Sequence, residues 1–208
     1  MKKIIWTSGG LILLGGITLL WFFWKSDGPV KNYPSSAAGP VLFLGDSLVE
    51  GVGATRGNDL SSLLQKGLEE PVLNYGVAGD TTASALERLE PALAEKPRLA
   101  LILLGGNDFL RKIPRADTFV NLEKIITAFQ RDGAMVILIG VRSGVIGGGA
   151  DAEYEALAEK TQARSVPDVL SGVFGDASLM SDAIHPNDKG YAKIAERLLP
   201  VTKMLLGK

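Results

Sequence analysis

A chain of 208 residues is one domain's worth, with room for an appendage, and is long enough to bury a full core. Its 22 Lys and Arg nearly balance its 23 Asp and Glu, and a net charge of −1 offers no basic surface to a polyanion, which excludes nucleic acid as an expected partner. The absence of cysteine removes disulfides, thiol nucleophiles and thiolate metal ligands, and the single histidine, His185, leaves a poor donor set for zinc, so no metal is expected.

Lys2 and Lys3 precede "IIWTSGGLILLGGITLLWFFW", residues 4–24, which holds no charge in 21 positions. As a helix this run reaches roughly 30 Å, the thickness of a bilayer's hydrocarbon core. Trp6, Trp21 and Trp24 lie near its ends as interfacial anchors, and the lysine pair favours a cytoplasmic N-terminus. Residues 1–25 are therefore read as a membrane anchor, a single N-terminal transmembrane helix. A cleaved signal peptide is the rival, since "SSAAG" at 35–39 offers small residues. The apolar run is longer than such peptides carry, however, and the candidate cut lies well beyond its end. A buried core helix is a third reading, opposed by the lack of a polar face. Residues 26–39, polar and rich in Pro, Gly and Ser, read as a linker, with the folded domain over 40–208.

Within that domain short apolar runs, "VLFL" 41–44, "VLNY" 72–75, "LALILL" 99–104 and "MVILI" 135–139, with a weaker fifth around 166–170, alternate with segments of helical period. The helical segments fall at about 58–69, 81–95, 117–131, 152–164 and 188–205. Strands apolar on both faces, alternating with helices, predict a parallel sheet covered on both sides, whose sites gather at the carboxyl ends of the strands.

The residues after each strand are therefore the ones that matter. The first is followed by "GDSLVEGVGA", a strand-to-helix junction that presents Ser47, although Asp and Ser also serve as ordinary turn caps. Glycines at 51, 53 and 57 match neither nucleotide-binding pattern, and no GxSxG is present. The second is followed by "NYGVAGDTT" and the third by "GGNDFL". Gly79 and Asn107 are candidate donors to a developing oxyanion, or else Gly79 sits in a helix-entry turn capped by Asp80 and Asn107 caps a turn. Near the end, in "SDAIHPNDKGYAKIAERLL", a spacing of three lets a turn bring Asp182 to one imidazole nitrogen of His185 and leave the other outward, while Pro186 and Asn187 start the last helix.

Together these residues form a set of nucleophile, oxyanion donors, orienting acid and base. With "GDSL" at 45–48, "AGDT" at 78–81, "GGND" at 105–108 and "DAIHPN" at 182–187, the chain resembles the SGNH, or GDSL, hydrolase superfamily over essentially all of 40–208. It is most similar there to bacterial arylesterases and the multifunctional acyl-CoA thioesterase and lysophospholipase group. The resemblance implies a three-layer α/β/α sandwich with a five-stranded parallel sheet in flavodoxin-like order, and ester hydrolysis without cofactor or metal. It implies Ser47 as nucleophile, His185 as base and Asp182 as its orienter, with an oxyanion hole from the backbone N–H groups of Ser47 and Gly79 and the amide of Asn107.

The expected partners are a small-molecule ester and, through the N-terminal helix, a membrane. The expected place is the bacterial inner membrane with the catalytic domain outside the cytoplasm, or the periplasm after cleavage. Carboxylic ester, thioester, lysophospholipid and O-acetyl sugar stay open as substrates, as does a tethered binding protein without turnover. Phe109, Leu110 and Ile113 read either as an apolar wall for an acyl chain or as the start of a core-facing helix, and "SGVIGGGADAEY", 143–154, is unusually rich in glycine for a loop beside the pocket.

Overall fold

Both faces of the first strand, β1 (Val41–Gly45), are buried, because Val41 and Phe43 point into one apolar layer and Leu42 and Leu44 into another. The computed structural model describes residues 28–141 and 150–208. Four more strands, β2 (Val72–Gly76), β3 (Leu99–Leu103), β4 (Met135–Ile139) and β5 (Arg164–Val166), join β1 in one sheet of order β2-β1-β3-β4-β5, every neighbouring pair parallel. This is the flavodoxin-like order, which reverses direction at β1 and opens a crevice at the carboxyl ends of β1 and β3.

The described helices are α1 (Ser47–Glu50), α2 (Leu60–Leu68), α3 (Thr82–Glu87), α4 (Leu89–Ala94), α5 (Gly106–Leu110), α6 (Arg115–Arg131), α7 (Asp151–Thr161) and α8 (Asp188–Leu206). Leu60, Leu64, Leu68, Tyr191, Ile194 and Leu198 from α2 and α8 fill the layer on the Val41 face. On the Leu42 face, α3, α4, α6 and α7 supply Ala85, Leu89, Ile125, Phe129 and Leu157. Each large side chain taken fully out of water contributes about 1.5–3 kcal/mol, and the two layers clamp the sheet from both sides. The three-layer α/β/α arrangement follows from that double burial.

Two boundaries differ from the sequence expectation. The fifth strand lies at 164–166 and not at 166–170, because Arg164, Ser165 and Val166 pair with β4 while Pro167 cannot donate to a ladder. The helical stretch 81–95 is two helices broken at Arg88, whose side chain is drawn inward.

The expected transmembrane helix lies outside the described residues, as does the glycine-rich run apart from its last residues, which enter α7. Among the described residues no helix is long and apolar enough to cross a membrane. The part of the expected linker that is described does not hang free. Lys31 N–H donates to Gln162 O at 2.9 Å, Asn32 Nδ2 to Gln130 O and Ala134 O at 2.7 and 2.9 Å, and Ser35 Oγ to Gly133 O at 2.9 Å. These carbonyls precede β5 and β4, so the segment runs along the amino-terminal edge of the sheet, opposite the crevice.

A protein beginning at Pro40 loses these bonds and is expected to be less stable than one beginning at Gly28 by about 1–3 kcal/mol, the bonds being partly offset by the entropy of a freed segment. That corresponds to roughly 3–10 °C in Tm by thermal unfolding. Equal melting of the two forms would show that the segment adds nothing to the fold.

Candidate active site

The end of β1 turns sharply at Asp46, whose Oδ1 accepts the Leu48 N–H at 3.0 Å and so caps α1. Capping places Ser47 at the first position of a helix, 9% exposed, where its N–H has no intrahelical partner. Some 138 residues later the chain returns, and His185 Nε2 lies 3.1 Å from Ser47 Oγ.

The turn before α8 orients the imidazole. Asp182 Oδ2 is 2.8 Å from His185 Nδ1, while its Oδ1 accepts the N–H groups of Ile184 and His185, both at 2.7 Å. Ser181 N–H donates to His185 O at 2.8 Å, and Asn187 Oδ1 accepts the N–H groups of Lys189 and Gly190 at 3.0 and 3.2 Å, which starts the last helix as expected. Asp182 is half exposed, yet the His185 ring hydrogen bond, followed by the two backbone N–H bonds, pulls its carboxyl down to about 2. It therefore stays ionised through the neutral and mildly acidic range.

Gly79 lies in the turn after β2 at φ +82°, a conformation that costs a side-chain-bearing residue roughly 1 kcal/mol or more. Asp80 does not cap the following helix: Thr81 does, in a reciprocal pair with Ser84, and the Asp80 side chain is shared between Arg88 and the Ser84 hydroxyl. Neither Ser47 N–H nor Gly79 N–H donates to a protein group among the described residues.

Asn107 is not a turn cap either. It sits in the first turn of α5, where its Nδ2 donates to Asp80 O at 2.9 Å and, more loosely, to Asp46 Oδ2 at 3.3 Å. Asp108, buried beside it, accepts Thr82 N–H at 2.9 Å and Thr82 Oγ1–H at 2.5 Å, and so pins α5 to α3. All five residues singled out in the sequence thus meet at the carboxyl ends of β1, β2 and β3 and the entry to α8.

Asp46 is a feature that sequence reasoning passed over, since nothing in "GDSL" shows that its carboxyl is 3% exposed. Burial pushes it up to about 6, against the pull of the Leu48 N–H and His185 and with a smaller push from Asp80 and Asp108. A raised carboxyl binds more protons in the folded state, so its contribution to stability is greatest below about pH 4 and is lost as pH rises towards and through 6.

Wild type compared with Asp46→Asn by urea unfolding should show this directly. The hydrogen bonds of the new amide do not titrate and cancel between pH values. The interval from 3.8 to about 6 corresponds to wild type losing on the order of 2–3 kcal/mol against the variant between pH 4 and pH 7. A pH-independent difference would mean that Asp46 titrates as an ordinary exposed carboxyl.

A cavity of about 500 Å³ lies next to Asn107, with Gly105, Gly106, Phe109, Leu110, Ile113 and Phe119 among its walls. None of Ser47, Asp182 and His185 lines it. Phe109, Leu110 and Ile113 line this cavity, and Phe109 and Leu110 stay 39% and 45% exposed instead of packing into the core. Beneath the cavity Tyr154 Oη donates to Leu104 O at 2.6 Å, and a Cβ on Gly105 would lie 2.3 Å from that hydroxyl.

Residues 43–193 match the model of the GDSL-like lipase/acylhydrolase family. The chain is 35% identical over 183 residues to esterase TesA of Pseudomonas aeruginosa, which spans 82% of this chain and 91% of that protein. It is 33% identical over 174 residues to an arylesterase of Vibrio mimicus, 78% of this chain and 87% of that one. A crystal structure of TesA superposes with a TM-score of 0.75 at 34% identity, covering 80% of this chain and 99% of the other.

Proposed function

Because the chain belongs to the GDSL-like lipase/acylhydrolase family, and is on that ground a carboxylic ester hydrolase, we propose that it works by acyl transfer to Ser47 with His185 as base and Asp182 as orienter. The observation that carries the reading is the unbroken row from Ser47 Oγ to His185 Nε2, 3.1 Å, and from His185 Nδ1 to Asp182 Oδ2, 2.8 Å. Ser47 Oγ attacks the ester carbon while His185 Nε2 takes its proton. The imidazolium, held by the ionised Asp182, then protonates the leaving oxygen and frees the alcohol. Water attacks the acyl-enzyme by the same route and releases the acid.

The charge that develops on the carbonyl oxygen is met by the N–H groups of Ser47 and Gly79, which have no partner among the described residues, and by the Asn107 amide, whose longer bond to Asp46 is the one it gives up. Asn107→Ala should therefore lower kcat by about 10²–10³ with a smaller change in KM. An unchanged kcat removes Asn107 from the site.

The apolar cavity beside Asn107 suits a medium acyl chain or an aromatic group better than acetate alone. Nitrophenyl esters from acetate to palmitate, with the matching thioesters, test this on the full-length protein. Turnover peaking at medium chains supports the reading, whereas turnover confined to acetate moves the substrate to O-acetylated carbohydrate. Membership of a family of ester hydrolases speaks against the alternative of a tethered binding protein without turnover. The inner-membrane anchor and external catalytic domain are proposed from the sequence of residues 4–24 alone, and recovery of the full-length chain outside the membrane fraction would overturn them.

A further inference from the structure

We infer that Arg88 is a positioning residue for the oxyanion site, tying the strand that carries Ser47 to the loop that carries Gly79. The inference rests on the reading of Ser47, Gly79 and Asn107 as oxyanion donors and goes one layer deeper. Arg88 stands at the break between α3 and α4, with its side chain 26% exposed beneath the carboxyl ends of β1 and β2. Its Nε donates to Asp80 Oδ2 at 2.5 Å. Its Nη2 donates to Gly45 O at 3.0 Å and to Tyr75 O at 2.9 Å.

One planar cation therefore joins three points. Gly45 ends β1 two residues before Ser47, Tyr75 lies at the end of β2, and Asp80 directly follows Gly79. Asp80 passes the constraint on, for its other carboxyl oxygen accepts Ser84 Oγ–H at 2.9 Å and its main-chain carbonyl accepts the Asn107 amide at 2.9 Å. All three oxyanion donors thus hang from the same guanidinium, Ser47 through Gly45, and Gly79 and Asn107 through Asp80. Among the described residues the hydrogen bonds of the Arg88 side chain go to Asp80, Gly45 and Tyr75, and none goes to Ser47 or His185.

Fold stability is a weaker explanation for this arrangement. The Asp80 side chain is only 9% exposed, and pairing two charges at such a depth roughly repays their desolvation. What the rigid fork supplies beyond that is a fixed spacing between donors aimed in two directions, which the single ammonium of lysine does not reproduce. Oxyanion donors displaced by about 1 Å cost on the order of 10²-fold in rate.

The test is a double-mutant cycle on kcat and KM in the full-length protein with a nitrophenyl ester. Arg88→Met should lower kcat by about tenfold or more with KM within about threefold. In the Asn107→Ala background, where one of the positioned donors is already gone, the same change should cost at least threefold less. Equal losses in the two backgrounds, or a loss carried by KM, would overturn the inference and leave Arg88 a structural tie. An unchanged kcat in Asn107→Ala alone would sink the oxyanion reading itself. Should Arg88→Met not fold, Arg88→Lys serves in its place, with a smaller loss expected, still in kcat and still coupled to Asn107. A lysine variant with full kcat overturns the proposal.

Discussion

Ser47→Ala is expected to abolish hydrolysis, with a fall in kcat on the order of 10⁶, and His185→Ala to come close to it, because nucleophile and base act as one unit and removing either removes the covalent route. The fold should survive both changes. Among the described residues the side-chain partner of Ser47 Oγ is His185 Nε2, at 3.1 Å, and alanine is a good residue at a helix start capped by Asp46. His185 is held mainly through its backbone, whose carbonyl accepts Ser181 N–H, so α8 keeps its start at Asn187. The measurement is kcat on a medium-chain nitrophenyl ester with circular dichroism alongside. The double variant should be no slower than Ser47→Ala alone, since the second substitution has nothing left to remove. A folded Ser47→Ala protein that keeps a hundredth of the rate would refute the assigned nucleophile.

These site residues are legible in the sequence because each lies in a junction whose chemistry is local. An apolar run that ends in "GD", "AGD" or "GGND" announces both a strand and the turn after it, and a parallel sheet gathers those turns at one edge. Three of the five strands, β1, β3 and β4, are legible because they are buried on both faces and hence continuously apolar, while β2, at the sheet edge with Asn74 exposed, is legible from Val72 and Leu73 and the turn that follows it. β5 is shorter and less apolar, with Arg164 and Ser165 in it, so periodicity placed it around the neighbouring Val166–Leu170 instead.

What stays hidden is whatever depends on residues far apart in the chain. Arg88 looks like one more charge on an amphipathic helix until Gly45, 43 positions earlier, is seen to accept from it. Asn32 reads as linker composition, yet its two carbonyl acceptors lie about 100 residues on, at Gln130 and Ala134. Asp46 reads as a turn cap, which it is, but its neighbours Asp80, Asp108 and His185 arrive from three other segments. Local rules locate the candidate reacting groups, whereas the groups that hold them come from the convergence of the fold.

Asp182→Asn should lower kcat by about 10⁴ at neutral pH while leaving the protein folded. The substitution is isosteric, and the side-chain oxygen that accepts Ile184 N–H and His185 N–H, both at 2.7 Å, is retained, so the turn keeps its shape. The change falls on the other oxygen. In wild type Oδ2 accepts the proton of His185 Nδ1 at 2.8 Å, which leaves Nε2 bare and able to take the proton of Ser47. An amide nitrogen in that place donates instead of accepting, so Nδ1 becomes the acceptor and the ring proton moves to Nε2. The base then faces Ser47 with its proton already on, and the negative charge that would steady the imidazolium is gone. Because the wild-type carboxyl is held down at about 2, its own protonation does not shape the rate above pH 4, and acidifying wild type to pH 5 should not reproduce the defect of the variant. Retention of more than a tenth of the wild-type kcat by a folded Asp182→Asn protein would mean that His185 is oriented by its backbone and by Ser47 alone.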